Sequence, residues 1–311
     1  MRESTAIARE PARALLPVPD RCVLCGDARL SLRFPARGEM APLDAGAWRC
    51  TSFGHRHHPP IYGCDDCGLL FQWPMPRADD LEEAYAGVVD PLYMAERDNR
   101  ILTFRKVVRT LGPAGGRRLL DVGAYCGYFL EVAREHGFRA EGLELSRWAA
   151  GLARSQGFTV HGETLEVRAN SADRYHVLTM WDVVEHLPDP REELAAARML
   201  LVPGGRLHLS TIDTGSLVAR LLGARWPWLM DMHLVYFDRP TISALLEEAG
   251  FRVLDIGTYS HTVSAGYLLR KLGASFPALA PVARALSRVV PTAWPVPVNL
   301  GDNMLVSAER I

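Results

Sequence analysis

The sequence predicts a doubly wound α/β domain with a mainly parallel, seven-stranded sheet, preceded by a small metal-stapled module. Three observations predict it. Helix-stopping glycines recur just ahead of short apolar runs, as in His136-Gly137-Phe138, Gln156-Gly157-Phe158 and Ala249-Gly250-Phe251, with Pro203-Gly204-Gly205 as a similar stop. An apolar run at 119–122 feeds straight into a small-residue turn. Two Cys-x-x-Cys-Gly knuckles lie upstream, at Cys22-Cys25-Gly26 and Cys64-Cys67-Gly68.

A glycine just past a helix supplies the left-handed residue that ends it. Repeated at this spacing, the punctuation argues for alternating βαβ units and hence a parallel sheet. Strands are expected near 117–122, 138–143, 158–160, 175–181, 205–211, 251–259 and 302–309. Helices are expected near 128–136, 146–156, 190–201 and 240–249. Ile101, Phe104, Val108 and Leu111 recur at helical spacing and predict a helix leading into the domain. Leu279, Val282, Leu286 and Val289 outline an amphipathic helix bounded by prolines. The expected organisation is a flexible N-terminus (1–19), a metal-binding module (20–76), a helical linker or lid (77–112) and the α/β domain (113–311). A helical insertion at 264–298 precedes the last strand.

The 311 residues carry a formal net charge of −1, and 23% of them are charged. No global field is available to draw the chain to nucleic acid or anionic lipid. A small-molecule partner is expected instead, with no nucleic acid. The only lysines are Lys106 and Lys271, so the basic residues are almost all arginine. No run of about 18 apolar residues suits a membrane-spanning helix. The stretch 1–20 lacks a signal-peptide core, so a cytoplasmic, reducing setting is expected. Arg270, Lys271, Arg284 and Arg288 flank apolar residues in 264–298. Peripheral membrane contact and a homodimer contact therefore stand beside the plainer reading, a helix covering the sheet edge or pocket in a monomer.

Two cysteines on a tight turn can aim both sulfurs at one tetrahedral ion, and two such knuckles complete a four-thiolate site. Cys22, Cys25, Cys64 and Cys67 are the predicted ligands of a zinc ion. With all four positions filled by thiolates, its role is expected to be structural. Cys50, His55, His57 and His58 lie between the knuckles as candidates for a substitute ligand or a second ion.

The turn after 119–122 does not fit GxGxxG, because Tyr125 and Tyr128 stand at two of its glycine positions, and no GxxxxGK[ST] loop occurs. Glu144 closes the next strand, 23 residues after Asp121, where a carboxylate can accept from two ribose hydroxyls. A ligand that has an adenosine ribose but no phosphates suits this pattern. Asp121-Val122-Gly123-Ala124-Tyr125-Cys126-Gly127 resembles motif I of class I S-adenosylmethionine methyltransferases, D-x-G-x-G-x-G. Gly142-Leu143-Glu144-Leu145-Ser146 resembles their ribose-binding acid, and Trp181-Asp182-Val183-Val184-Glu185-His186-Leu187 resembles the stretch beside the methionine part of the cofactor. Leu201-Val202-Pro203-Gly204-Gly205 resembles the turn before their fifth strand. The resemblance spans about 115–260 and implies a Rossmann-like methyltransferase sheet. It implies S-adenosylmethionine bound by Asp121, Gly123, Ala124, Tyr125, Gly127, Glu144, Leu145, Ser146, Trp181 and Asp182. With the Cys-x-x-Cys-Gly pairs it resembles the zinc-bearing group that includes nucleotide-sugar C-methyltransferases. Tyr125 departs from the motif, replacing its middle glycine, and His176 replaces an acid usual at the start of the fourth strand.

Methyl transfer from a sulfonium is an in-line displacement that needs a base only if the acceptor must lose a proton. The aromatic stretch 226–237 is expected to wall the acceptor pocket. His233-Leu234-Val235-Tyr236-Phe237 resembles the H-x-x-Y-F element of the sugar C-methyltransferases, which implies His233 as base. Tyr236 is a candidate for orienting the acceptor and His186 for binding or deprotonating it. The family's preceding His and Glu are Asp231 and Met232 here, so the carried-over cluster is incomplete. The expected activity is O-methylation of a sugar or glycan precursor or a secondary metabolite. C-methylation of a nucleotide sugar, a macromolecular acceptor and a non-catalytic protein of this fold are the rivals.

Overall fold

The computed structural model describes residues 18–38, 48–51 and 57–311. Most of the expected N-terminal segment 1–19, and His55, lie outside the described residues. Three short strands open the chain: β1 (Leu30–Phe34), β2 (Ile61–Cys64) and β3 (Leu70–Gln72). Three helices follow, α1 (Ala78–Ala86), α2 (Pro91–Ala95) and α3 (Arg97–Val107), the last running into a 3-10 turn at Val108–Leu111. The alternating part then runs β4 (Arg118–Val122), α4 (Tyr128–Glu135), β5 (Arg139–Leu143), α5 (Arg147–Ser155), β6 (Thr159–His161), α6 (Leu165–Ala169), β7 (Tyr175–Trp181), α7 (Pro190–Leu200) and β8 (Leu201–Ile212). It continues through α8 (Leu217–Leu222), β9 (Val235–Tyr236), α9 (Arg239–Glu248) and β10 (Phe251–Thr258). The chain closes with β11 (His261–Ser264), α10 (Ala265–Ser275), α11 (Ala280–Leu286), β12 (Pro295–Val298) and β13 (Asn303–Arg310).

The main sheet has seven strands in the order β10-β13-β8-β7-β4-β5-β6. Pairings among β4, β5, β6, β7 and β8 are parallel, and β13 is antiparallel to both β8 and β10. The expected doubly wound sheet is thus present, and its order reverses between β4 and β7, where open α/β sheets form their ligand crevice. The helices start where their sequence says they should. Ser146 caps α5, Asp189 caps α7 ahead of Pro190, and Asp238 with Thr241 closes a capping box on α9.

The structure corrects three expectations. Pro203-Gly204-Gly205 is a bulge inside β8 rather than a turn before it: Tyr175 pairs with Leu201 but Val177 with Arg206. A Cβ on Gly205 would lie 2.7 Å from the Val202 carbonyl oxygen, so the looped-out backbone requires glycine. The 264–298 segment is not one helix. It is the pair α10 and α11 framed by the β11–β12 ribbon, and Leu279, Val282, Leu286 and Val289 are all exposed. Nor does the N-terminal module end as a separate body at 76. Its sheet is β1-β2-β3-β9, so a strand from the stretch that follows β8 completes it. Cys22, Leu24, Cys64, Leu69 and Phe71 share one core cluster with Tyr175, Leu178, Leu209 and Phe237.

Leu209 lies on the interior strand β8 with no exposure. Leu209→Ala is expected to lower unfolding stability by about 2–5 kcal/mol. Urea titration followed by tryptophan fluorescence measures this, and a loss well below that range would contradict its place in the core.

Candidate active site

The crevice begins at the carboxyl end of β4. Asp121 is buried and accepts from the Thr179 hydroxyl at 2.6 Å, and burial pushes its carboxyl up to about 8. The backbone then turns through Gly123 (φ 73°), Tyr125 (φ 47°) and Gly127 (φ 79°) into α4. A Cβ on Gly123 would come within 2.8 Å of Val183, and one on Gly127 within 3.0 Å of Ala153. Tyr125 holds a left-handed conformation that costs a non-glycine residue about 1 kcal/mol or more. Its ring packs edge-on against Tyr93, centroids 4.4 Å apart, while its hydroxyl is buried without a partner.

Glu144 closes β5 beside this turn. One carboxylate oxygen accepts from the Tyr125 amide and the other from the Ser146 amide, both at 2.7 Å. Burial outweighs these bonds and raises the Glu144 carboxyl to about 7. Asp121, Gly123, Ala124, Tyr125, Glu144, Leu145, Ser146, Trp181 and Asp182 all line one cavity of about 610 Å³. Gly127 is not part of the lining; it serves as the N-cap of α4. Trp181 stacks on Tyr259 and meets Phe129 edge-on. Asp182 has a left-handed φ of 54° and accepts from the Ser210 hydroxyl at 2.7 Å.

The same cavity reaches Glu185, His186, Trp228 and His233. His186 Nδ1 lies 2.8 Å from the Met232 carbonyl and His233 Nδ1 lies 3.0 Å from the Trp228 carbonyl. A carbonyl only accepts, so each ring carries its proton on Nδ1 and has Nε2 as its basic nitrogen. The two rings meet edge-on, centroids 5.0 Å apart. Glu185 is buried with one carboxylate oxygen unpartnered, and burial pushes its carboxyl well above the ordinary range. Ligand atoms of Glu185, His186 and His233 lie within 4.8 Å of one another.

Tyr236 does not join them. It is buried, it is not part of the cavity lining, and its hydroxyl donates to the Met230 carbonyl. It belongs to β9, which pairs with β3, so the H-x-x-Y-F element is an added strand rather than a pocket wall throughout. Trp226 and Trp228 both donate their indole N–H to Asp302 at 3.0 Å, and Trp228 alone lines the cavity. Cys126 is buried and its thiol is pushed up to about 12, which suits packing. The His176 ring accepts from the Arg118 amide, where β7 and β4 begin side by side in the sheet interior.

Two residues escaped the sequence reading. Arg100 on α3 lines the cavity, stacks its guanidinium 4.6 Å from the Tyr93 ring centroid and has its Nε buried without a partner. Gln72, at the end of β3, is buried and donates its side-chain amide to the Met230 and His233 carbonyls and the Tyr236 hydroxyl. Neither sits in a motif. Only the fold brings them to their partners.

The knuckle cysteines converge as the spacing predicts. Sγ atoms of Cys22 and Cys67 are 3.7 Å apart and those of Cys25 and Cys64 are 3.5 Å apart, and all four gather within 4.8 Å. Four thiolates around a tetrahedral ion at about 2.3 Å stand about 3.8 Å apart, so the donor set and spacing fit zinc. Gly26 and Gly68 take positive φ at the two turns. Cys50, His57 and His58 join no such cluster among the described residues.

A family described as "Methyltransferase domain" matches residues 94–256, more than half of the chain and the whole of this crevice's core. The chain belongs to this methyltransferase family. With its seven-stranded sheet, it is a class I S-adenosylmethionine-dependent methyltransferase. Among curated relatives, the Ubiquinone biosynthesis O-methyltransferase of Coxiella burnetii (strain RSA 331 / Henzerling II) is 26% identical over 160 residues, covering 47% of this chain and 68% of the relative. That of Aeromonas salmonicida is 29% identical over 157 residues, covering 45% and 65%. Among solved structures, a chain of the complex between the Haloferax volcanii Trm112 methyltransferase activator and a methyltransferase aligns with a TM-score of 0.51. It is 16% identical, over 73% of this chain and 96% of that one, and shares the fold. Among the described residues of this methyltransferase, no helix is long and apolar enough to cross a membrane.

Gln72→Leu is expected to strip the donor from the Met230 and His233 carbonyls and cost about 1–3 kcal/mol. The thermal unfolding midpoint checks it, and an unchanged midpoint would show that Gln72 does not hold the loop.

Proposed function

We propose that the chain methylates a hydroxyl oxygen of a small organic acceptor, with the donor's adenosine at the 123–127 turn and the acceptor between Trp228, His186 and His233. The observation that carries this reading is the single cavity, which runs from Glu144 through Trp181 and Asp182 to His233. S-adenosylmethionine in that cavity supplies an electrophilic methyl group on a sulfonium. The chain's residues do the rest. Glu144 accepts from the ribose hydroxyls, the turn glycines admit the backbone close to the adenosine, and Leu145 and Ser146 border it. Arg100, beside Tyr93 and near Asp182, offers a cation to the methionine carboxylate. His233, held by the Trp228 carbonyl, takes the acceptor's proton on Nε2, and His186 orients the hydroxyl.

The relatives' names favour oxygen over carbon as the site of methylation, and they carry no sugar. The incomplete H-x-x-Y-F cluster and the inward-turned Tyr236 also weigh against nucleotide-sugar C-methylation. One observation favours a second reading of the acceptor end. Glu185, His186 and His233 form a two-histidine, one-carboxylate set, and a divalent cation held there would replace His233 as the group that acidifies the hydroxyl. Turnover that survives exhaustive chelation excludes it. For the four cysteines we infer one structural zinc, whose role is to fix the sheet β1-β2-β3-β9 and with it the loop that carries His233.

Four outcomes test this. S-adenosylhomocysteine is expected to bind the chain in calorimetry, and Glu144→Gln to weaken it by about one to two orders of magnitude. Ribose recognition needs the Glu144 carboxylate, whose pKa in the free protein is about 7. Affinity should therefore fall about five- to tenfold as pH drops from 8 to 6, and Glu144→Gln should abolish that slope. An equal affinity across that range would contradict the assignment. His233→Ala should lower kcat by about 10²–10⁴-fold with the affinity for S-adenosylhomocysteine unchanged. Reduced protein should carry about one zinc per chain; a metal content near zero would remove the four-cysteine site.

A further inference from the structure

The cavity is lined by two cations. Arg100 comes from α3 and Lys271 from α10, both outside the alternating β–α core, and both line it. Among the described residues neither forms an ion pair, and each rests on an aromatic face, Arg100 on Tyr93 and Lys271 on Trp228, with the Lys271 nitrogen 5.8 Å from the ring centroid. The acids inside the cavity are engaged, apart from Glu185, which keeps one oxygen unpartnered and whose carboxyl burial raises well above the ordinary range. Asp121 is bonded by Thr179, Glu144 by two amides and Asp182 by Ser210. The other acids of the lining gather around Glu193, on which Glu166, Glu82, Asp189 and Glu192 act. Only burial acts on Lys271, lowering its pKa, with no carboxylate close enough to oppose it.

A desolvated ammonium without a counter-charge is costly, and a binding site recovers that cost when its ligand brings the anion. The basis here is the methyl-transfer reading above. The donor brings one carboxylate, and Arg100, at the Tyr93 and Asp182 end, matches it. Lys271 stands over the Trp228 ring, which also stacks on His233 at 6.1 Å. Leu268 and Leu272 flank it on α10, and Phe276 follows. We propose that the acceptor is an organic acid, its carboxylate or phosphate seated on the Lys271 ammonium and its apolar body along Leu268, Leu272 and Phe276. The hydroxyl to be methylated then points from this anchor toward His233.

The test uses the full chain saturated with S-adenosylhomocysteine. Calorimetry compares 3,4-dihydroxybenzoate, its uncharged methyl ester and phenyl phosphate, on the wild type, Lys271→Met and Lys271→Arg. One of the two anions is expected to bind at least about tenfold tighter than the ester, and which one does so separates carboxylate from phosphate. Lys271→Met should erase that preference while the S-adenosylhomocysteine affinity stays within about twofold, and Lys271→Arg should keep most of it. Anions that bind no tighter than the ester, or do not bind at all, overturn the proposal, as does a preference that survives Lys271→Met. If S-adenosylhomocysteine itself fails to bind the wild type, the methyl-transfer reading falls and takes this one with it; if it binds, only the charged acceptor is in question.

Discussion

The hydrogen bonds between β3 and β9 are the constraint on which the His233 end of the cavity, the proposed acceptor end, depends. The loop from 226 to 237 follows β8 and α8, and its only regular element is the two-residue strand β9. It is fixed because Val235 and Tyr236 pair with Phe71 and Leu70, and because the Gln72 side-chain amide ties together the Met230 carbonyl, the His233 carbonyl and the Tyr236 hydroxyl. The Gln72 backbone N–H also donates to the Leu234 carbonyl. The cysteine cluster lies at the far ends of the same small sheet. The four-cysteine module, which reads in the sequence as an appendage, is therefore the footing of the 226–237 loop that carries His233.

The cofactor end is built differently, from strain and burial. Two non-glycine residues in the left-handed region, Tyr125 and Asp182, lie on either side of the strand-order reversal, one after β4 and one after β7. Such conformations persist only where surroundings over-determine them. Here the Glu144 carboxylate on the Tyr125 amide and Ser210 on Asp182 do so. Burial of Asp121, Glu144 and Glu185 raises all three carboxyls. A ligand that supplies hydroxyl donors is what lets a buried carboxylate such as Glu144 ionise near neutral pH.

The sequence made the parallel sheet legible because its signals are local: glycine after each helix, an apolar run after each glycine. Strands β4, β5, β6, β7, β10 and β13 fall within about one or two residues of their expected bounds. Where a signal had two local meanings, the sequence misled. Pro-Gly-Gly serves a bulge as well as a turn, and the apolar spacing of Leu279, Val282, Leu286 and Val289 carried no information about whether anything covers it. The site was legible in the same measure. The 121–127 turn, Glu144, Trp181 and Asp182 belong to motifs. Tyr236 misled because a strand register, invisible in one sequence, turned it inward. Gln72 and Arg100 act on residues about 160 and 80 positions away, and no spacing rule reaches that far.

The most direct test of the account is a crystal of the chain soaked with S-adenosylhomocysteine. The adenosine is expected in the crevice at 123–127, with its ribose hydroxyls on Glu144 and its sulfur directed toward His233 and His186. A crevice left empty, with the Tyr125 ring folded across it, would contradict the account at its centre.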